Sequence, residues 1–313
     1  MDRVSISIFY FRKSMQKITP FLWFERDMPA VVAYYQSVFP GTIVKAGGEL
    51  SDTPSGTVQM ATIEIFGMNF DLMTAGPYLP FNATVSFLVS CSSAEEVDTL
   101  TAKIMGNEHT FLMEPGTYPF AERYTWLADR YGISWQFMYA PDMSMMPVGQ
   151  KVTPTLMFSN DACGRATEAA DFYTSVFHDA KVNYLQKYEA GETQNEKAVV
   201  KHAGLTLENV NIALMDNGTT PASFTFAQAV SFVVTCENQA EIDYYWEKLT
   251  DGGTEVQCGW LNDKFGFPWQ IVPSAMSRMM STGTSKQIDR VTQAFMPMKK
   301  FDLATLERAF AGE

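Results

Sequence analysis

WLADRYGISWQF, residues 126–137, returns as WLNDKFGFPWQI at residues 260–271. Six of the first eleven positions are identical: Trp126/Trp260, Leu127/Leu261, Asp129/Asp263, Gly132/Gly266, Trp135/Trp269 and Gln136/Gln270. Several of the changes keep the chemistry, as with Arg130 to Lys264 and Tyr131 to Phe265. A chain that repeats so specific a phrase has been duplicated, and the other echoes appear in the same order. TPFLWF (Thr19–Phe24) returns as TPTLMF (Thr153–Phe158), AYYQSVF ending at Phe39 as DFYTSVF ending at Phe177, and TVSFLVSC ending at Cys91 as AVSFVVTC ending at Cys236. One interval separates Thr19 from Thr153 and Trp126 from Trp260. It widens only between motifs, where loops absorb insertions.

Within a copy the hydrophobic period alternates. TPFLWF reads as a strand, with Pro20 near its start, where a missing N–H does little harm. Val31, Tyr34, Tyr35 and Val38 then fall at helical spacing between Met28 and Phe39. Strand-like runs follow near Thr42–Ala46, Val58–Ile65 and Asn69–Met73. The cycle restarts with a strand at Thr84–Ser90 and a helix from Ser93 to about Met105, for which Ser93 and Glu96 make a capping box. Strands near Thr110, Arg123–Ala128 and Ile133–Met138 complete it. Each copy is thus strand, helix and three strands, twice over.

The chain has 313 residues and a net charge of −12, with 46% hydrophobic and 19% charged residues. That length suits about two domains. The charge argues against nucleic acid, whose phosphates demand cationic side chains, and against an anionic membrane surface. Val4–Phe11 is far shorter than the roughly 20 residues that span a bilayer and lacks a small-residue cleavage site. Met15-Gln16-Lys17 would make a natural start, so residues 1–14 read as an N-terminal extension or an added strand, and a cytoplasmic location is expected. Cys91, Cys163, Cys236 and Cys258 have no CxxC spacing and are expected to be free thiols.

These words and this rhythm resemble the vicinal oxygen chelate superfamily (glyoxalase/bleomycin resistance/dioxygenase). Within it they are similar to the PhnB-like branch, often labelled demethylubiquinone methyltransferase. The residues that carry the resemblance are TPFLWF, Asp171–Phe177, VSFVV-x-C and CGWLNDKFGFPWQIVP (Cys258–Pro273), and it extends over about residues 15–276. It implies an α+β fold of two tandem glyoxalase-like barrels, each made of paired βαβββ units. The expected division is an extension at 1–14, a first domain at 15–140, a linker at 141–152, a second domain at 153–276 and a C-terminal helical tail at 277–313. Single-copy relatives pair as dimers, so an intrachain pseudo-dimer is expected, as a monomer or a homodimer. In the tail, Ile288, Val291, Phe295 and Met298 share one helical face and Asp302 can cap a second helix, which reads as a clasp over one barrel.

Superfamily enzymes hold a divalent ion with histidines on the first and fifth strands and a glutamate on the last. Here those positions align with Pro20 and Pro154, with Thr84 and Ala229, and with Gln136 and Gln270, so no metal and no cofactor are expected. The pocket candidates are Gln136, Gln270, Trp23, Ser86 and Ser231. For the glutamines, hydrogen bonding to a ligand and a buried amide satisfied by the fold both remain open; for the serines, a bond within the sheet is the simpler expectation. Trp135 and Trp269 should face the opposite side and pack in the core. Asp27, Glu25, Asp71 and Glu208 are candidate acids or bases, each with a surface or turn explanation. Thiol catalysis lacks a histidine paired to any cysteine. Methyl transfer lacks a glycine-rich strand-to-helix turn, since Gly47 and Gly48 lie in a strand-rich stretch. Three functions stay open: a metal-independent small-molecule binder with a pocket in each barrel, an enzyme of lyase, isomerase or dioxygenase type, and a structural or regulatory protein with closed pockets.

Overall fold

The computed structural model describes residues 16–53, 55–76, 79–106, 108–142, 149–219 and 224–313. The N-terminal extension, and Met143, Met145 and Met146 of the expected linker, lie outside the described residues. Four βαβββ units follow one another. The first is β1 (Ile18–Phe24), α1 (Met28–Val38), β2 (Ile43–Thr53), β3 (Gly56–Ile65) and β4 (Met68–Thr74). The second is β5 (Val85–Ser90), α2 (Ala94–Met105), β6 (Thr110–Tyr118), β7 (Ala121–Ala128) and β8 (Ser134–Tyr139). The third is β9 (Val152–Phe158), α3 (Ala166–Val176), β10 (Lys181–Lys187), β11 (Val200–Leu207) and β12 (Val210–Asp216). The fourth is β13 (Val230–Cys236), α4 (Gln239–Thr250), β14 (Thr254–Glu255), β15 (Trp260–Asn262) and β16 (Pro268–Pro273).

The strands form two eight-stranded mixed sheets, and each sheet draws on both copies. The first runs β14-β15-β16-β13-β1-β4-β3-β2 and the second β10-β11-β12-β9-β5-β8-β7-β6. The seams are antiparallel. Phe21 of β1 lies opposite Ser231 of β13, and Thr155 of β9 lies opposite Ser86 of β5. The repeat in sequence and the sheet in space therefore divide the chain differently: units one and four share a sheet, as do units two and three.

Helices α1 to α4 join the sheets through one apolar core. Leu22, Phe24, Val31, Phe87, Trp135, Phe158, Phe232 and Trp269 all belong to it. The repeated phrase is what locks this layer. Asp129, 4% exposed, takes the indole N–H of Trp135 at 3.0 Å, the hydroxyl of Tyr35 on α1 at 2.9 Å, and the amides of Tyr131 and Ile133. Asp263 repeats the pattern with Trp269 at 2.9 Å, Tyr173 on α3 at 2.7 Å, and the amides of Phe265 and Phe267. A buried carboxylate survives because every lone pair has a donor. The helix and the turn it ties come from the same copy but serve different sheets. Asp129 and Asp263 thus fasten sheet to sheet, while Trp135 and Trp269, each 0% exposed, fill the core as expected.

Ser93 caps α2 by accepting from the Glu96 amide at 3.2 Å, but the carboxylate of Glu96 reaches the Ser92 amide at 2.7 Å instead of closing a box on Ser93. It also pairs with Lys151 of the second copy. The tail forms α5 (Ser274–Thr282), α6 (Ser285–Phe295) and α7 (Leu303–Ala311), the last capped by Asp302, which accepts from Thr305 N at 2.7 Å. Met276, Met279, Val291, Phe301 and Leu306 form its own small core, against which Val272 of β16 packs. Helices α5 and α6 also touch β2, at the far edge of the first sheet, so the tail crosses that sheet's concave side. Among the described residues no helix is long and apolar enough to cross a membrane.

Candidate functional site

Strand alternation sets two faces on each sheet. One meets the helix layer. The other is concave and carries Gln136, Ser86, Gln270 and Ser231, because Trp135, Phe137, Trp269 and Ile271 claim the core side. In the second sheet the glutamine is wired at both ends. Gln136 Nε2 donates to Ser86 Oγ at 2.7 Å, and Tyr124 donates its hydroxyl to Gln136 Oε1 at 2.7 Å. Trp126 Nε1 in turn donates to Ser134 Oγ at 2.6 Å. In the first sheet Gln270 Nε2 donates to Ser231 Oγ at 3.0 Å. By the repeat, Tyr124 is replaced there by Cys258 and Ser134 by Pro268. Trp260, without that serine, turns its ring across the curled sheet onto Phe21 and Trp23, with centroids 5.6 and 5.9 Å away.

The two concave faces therefore differ. In the second, Leu88, Tyr124, Trp126 and Met157 close on one another with Ala83 and Ala121. The residues lying side by side across the strands are Tyr184, Gly204, Ala213, Thr155 and Ser86. A Cβ added to Gly204 would sit 2.4 Å from the Tyr184 ring, so the glycine is there to let that ring lie flat on the sheet. The Tyr184 hydroxyl meets His202 Nδ1 at 2.8 Å, and burial pushes the His202 imidazole down to about 4, leaving it neutral at pH 7. In the first sheet the same row reads Ala46, Thr62, Asp71, Phe21 and Ser231. Ala46 stands there in place of the Tyr184 ring, and Asp71 in place of Ala213. Asp71, Thr62, Trp23 and Trp260 are half-buried, whereas their counterparts Ala213, Gly204, Met157 and Trp126 are buried.

Thr62 donates to Asp71 Oδ1 at 2.6 Å, and burial is the main cause that pushes the Asp71 carboxyl up. The indole nitrogen of Trp23 is buried without a hydrogen-bond partner among the described residues, as is Thr153 Oγ1 on the second sheet. Such an orphaned donor costs about 1–3 kcal/mol and calls for an explanation. Of the five sequence candidates, the sheet registers bring Trp23, Ser231 and Gln270 onto one concave face and leave Ser86 and Gln136 on the other. Asp71, Thr62, Phe21 and Trp260 were not named as pocket residues. For Asp71 the signal was an acid alternating with Phe70 and Leu72 in β4; for Trp260 it was the proline that replaces Ser134.

The remaining acids lie elsewhere. Asp27 caps α1 through the Ala30 amide and Glu25 pairs with Arg26 on the surface, while Glu208 accepts from the His178 amide and the Tyr245 hydroxyl. Cys91 and Cys236 are buried and their thiols are pushed up to about 12 by burial, which disfavours thiolates. The registers also correct one alignment. Pro20 lies opposite Phe232 and Pro154 opposite Phe87, both core residues, so the concave neighbours on the first strands are Thr19 and Phe21, and Thr153 and Thr155. Against a divalent ion of the superfamily type, these positions offer hydroxyls, amides and apolar groups. Among the described residues no group of three His, Cys, Asp or Glu side chains converges. The donor set does not fit such an ion.

The fold is that of the vicinal oxygen chelate proteins. Glyoxalase I from Zea mays is similar over 82% of this chain and 94% of its own, with 13% identity and a TM-score of 0.55. A mutant form of the same maize enzyme is similar over 84% of this chain and 97% of its own, with 12% identity and a TM-score of 0.55. The profile of the family described as 3-demethylubiquinone-9 3-methyltransferase matches twice, at residues 16–138 and 150–272, and the chain belongs to that PhnB-like family. The PhnB protein from Bacillus cereus matches at 30% identity over 40% of this chain and 100% of its own, with a TM-score of 0.36. No curated protein matches.

Proposed function

We propose that the protein binds a small organic molecule without a metal ion, and that it does so on the concave face of the first sheet, beneath the C-terminal tail. The asymmetry of the repeat carries this reading. Equivalent positions are closed over by Tyr184, Tyr124 and Trp126 in the second sheet, whereas in the first Asp71, Thr62, Trp23 and Trp260 are half-buried and bring a carboxylate and an indole N–H where the second has Ala213 and Met157. An apolar pocket with a few polar groups placed to orient a ligand is the usual composition of a binding site. Phe21, Trp23 and Trp260 supply the walls, and Asp71, Thr62 and Gln270 the polar points, with Ser231 beneath them holding the Gln270 amide. Methyl transfer, which the family's description suggests, draws no support from the glycines: Gly47 and Gly48 pair with Ala61 and Met60 inside β2.

Native mass spectrometry of the purified protein, beside metal analysis of the same sample, tests the proposal. A metal-free chain carrying a small organic mass is expected. That mass should be lost in Trp23→Ala and kept in Trp126→Ala. A stoichiometric divalent ion, or a mass whose retention depends on Trp126 and not on Trp23, would overturn it.

A further inference from the structure

We propose that this site takes an organic cation, a protonated amine or a quaternary ammonium, that also carries an oxygen acceptor. The inference rests on the first concave face being the ligand site, and it names the chemistry that face would select. Phe21 and Asp71 lie side by side in register on β1 and β4. The carboxylate thus sits at the foot of the aromatic wall formed by Phe21, Trp23 and Trp260. Aromatic faces beside a desolvated carboxylate attract a cation through both the ring quadrupole and the charge. A metal ion is a poorer match, because it would need several ligands where Asp71 offers one carboxylate.

The orphaned Trp23 indole adds the second requirement. It can only donate, so the ligand must accept. Trp23 lies two residues beyond Phe21 on a strand neighbouring that of Asp71, roughly 8 Å from it at the backbone by strand rise and spacing. A molecule with its cationic centre and its oxygen a few bonds apart reaches both. Lys45 from β2 pairs with Glu64 of β3 at 2.6 Å rather than with Asp71. The net charge of −12 raises the local concentration of cations around the whole molecule.

Choline and its neutral isostere 3,3-dimethylbutan-1-ol differ only in the charged centre, and isothermal titration with both separates the possibilities. The wild-type protein should bind choline about tenfold or more tighter than the isostere, the factor expected for about 1.4 kcal/mol. Asp71→Asn should remove most of that preference, leaving the part the aromatic rings supply, with the melting temperature near wild type. Equal affinity for the two probes, or a preference undiminished by Asp71→Asn, overturns the cationic inference and leaves the binding site itself standing. Neutral Nile red, displaced or not by each probe, reports on the site alone. If neither probe binds and Nile red finds no site that depends on Trp23, both the inference and the underlying site are wrong. Should Asp71→Asn fail to fold, the comparison of choline with its isostere on the wild-type chain still decides.

Discussion

Asp129 is expelled from water, yet tied to an indole, a phenol and two amides. Burial outweighs those donors and its carboxyl is pushed up to about 6. An unfolded aspartate titrates near 4, so between about pH 4 and 6 the folded chain holds the proton more often. Its contribution to stability is therefore present at low pH and is lost as pH rises through that window. Subtracting the stability curve of Asp129→Asn from that of the wild type should give a difference that moves toward the wild type by roughly 2 kcal/mol as pH falls from 6 to 4. A flat difference would show that folding leaves the proton affinity of Asp129 unchanged. Asp129→Ala strands four donors at once and should cost on the order of 3–5 kcal/mol in urea melts. The glutamines should diverge. Gln136→Ala breaks bonds to both Tyr124 and Ser86 and should lower stability by about 2 kcal/mol. Gln270→Ala should cost less than half of that and act instead on ligand affinity; equal losses of stability would contradict the asymmetry. The sequence announced the importance of Asp129, Trp135 and Gln136 by repeating them. It did not disclose that the aspartate faces a helix of the other sheet, because that partner, Tyr35, is far along the chain.

At the scale of elements, the alternation of period placed nearly every strand and helix. Residues 43–46 were legible as a strand, but its extension to Thr53 was not, because GELSDT has the composition of a loop and pairs only because β3 lies beside it. The tail's two amphipathic runs were likewise plain, and its path was not. Its docking depends on Gly259, whose φ of 80° lies in the left-handed region and whose missing side chain leaves room for the Phe301 ring. An added Cβ would meet Phe301 Cε2 at 2.5 Å and the Ile271 carbonyl at 2.9 Å. The amides of Cys258 and Gly259 also donate to Met298 and Lys299 at 2.7 Å. Gly259→Ala should thus release α6 and α7, seen as early tryptic cleavage at Lys299 or Lys300 while β1 to β16 stay resistant. Wild-type cleavage kinetics would mean that the tail is held elsewhere.

At the scale of the whole molecule, duplication was the most legible feature and the pairing of units across copies the least. A strand's partner is set by three-dimensional closure, and both pairings satisfy the same hydrophobic pattern. The consequence is that neither copy is complete alone. Residues 15–140 by themselves leave the edges of β1 and β5 open, each an invitation to another strand. That half should sediment as a homodimer in which each chain's β1 adds to its partner's β5; a folded monomer would contradict the cross-copy sheets. Duplication also freed the two concave faces to diverge, since Pro268 could replace a serine and Asp71 appear without a matching change in the other sheet. The most direct test of that divergence is to follow the indole N–H signals of the six tryptophans by ¹⁵N-resolved NMR during titration with choline. Trp23 and Trp260 should shift together and saturate while Trp126 stays in place. Movement of Trp126 with Trp23 and Trp260 still would contradict the account at its centre.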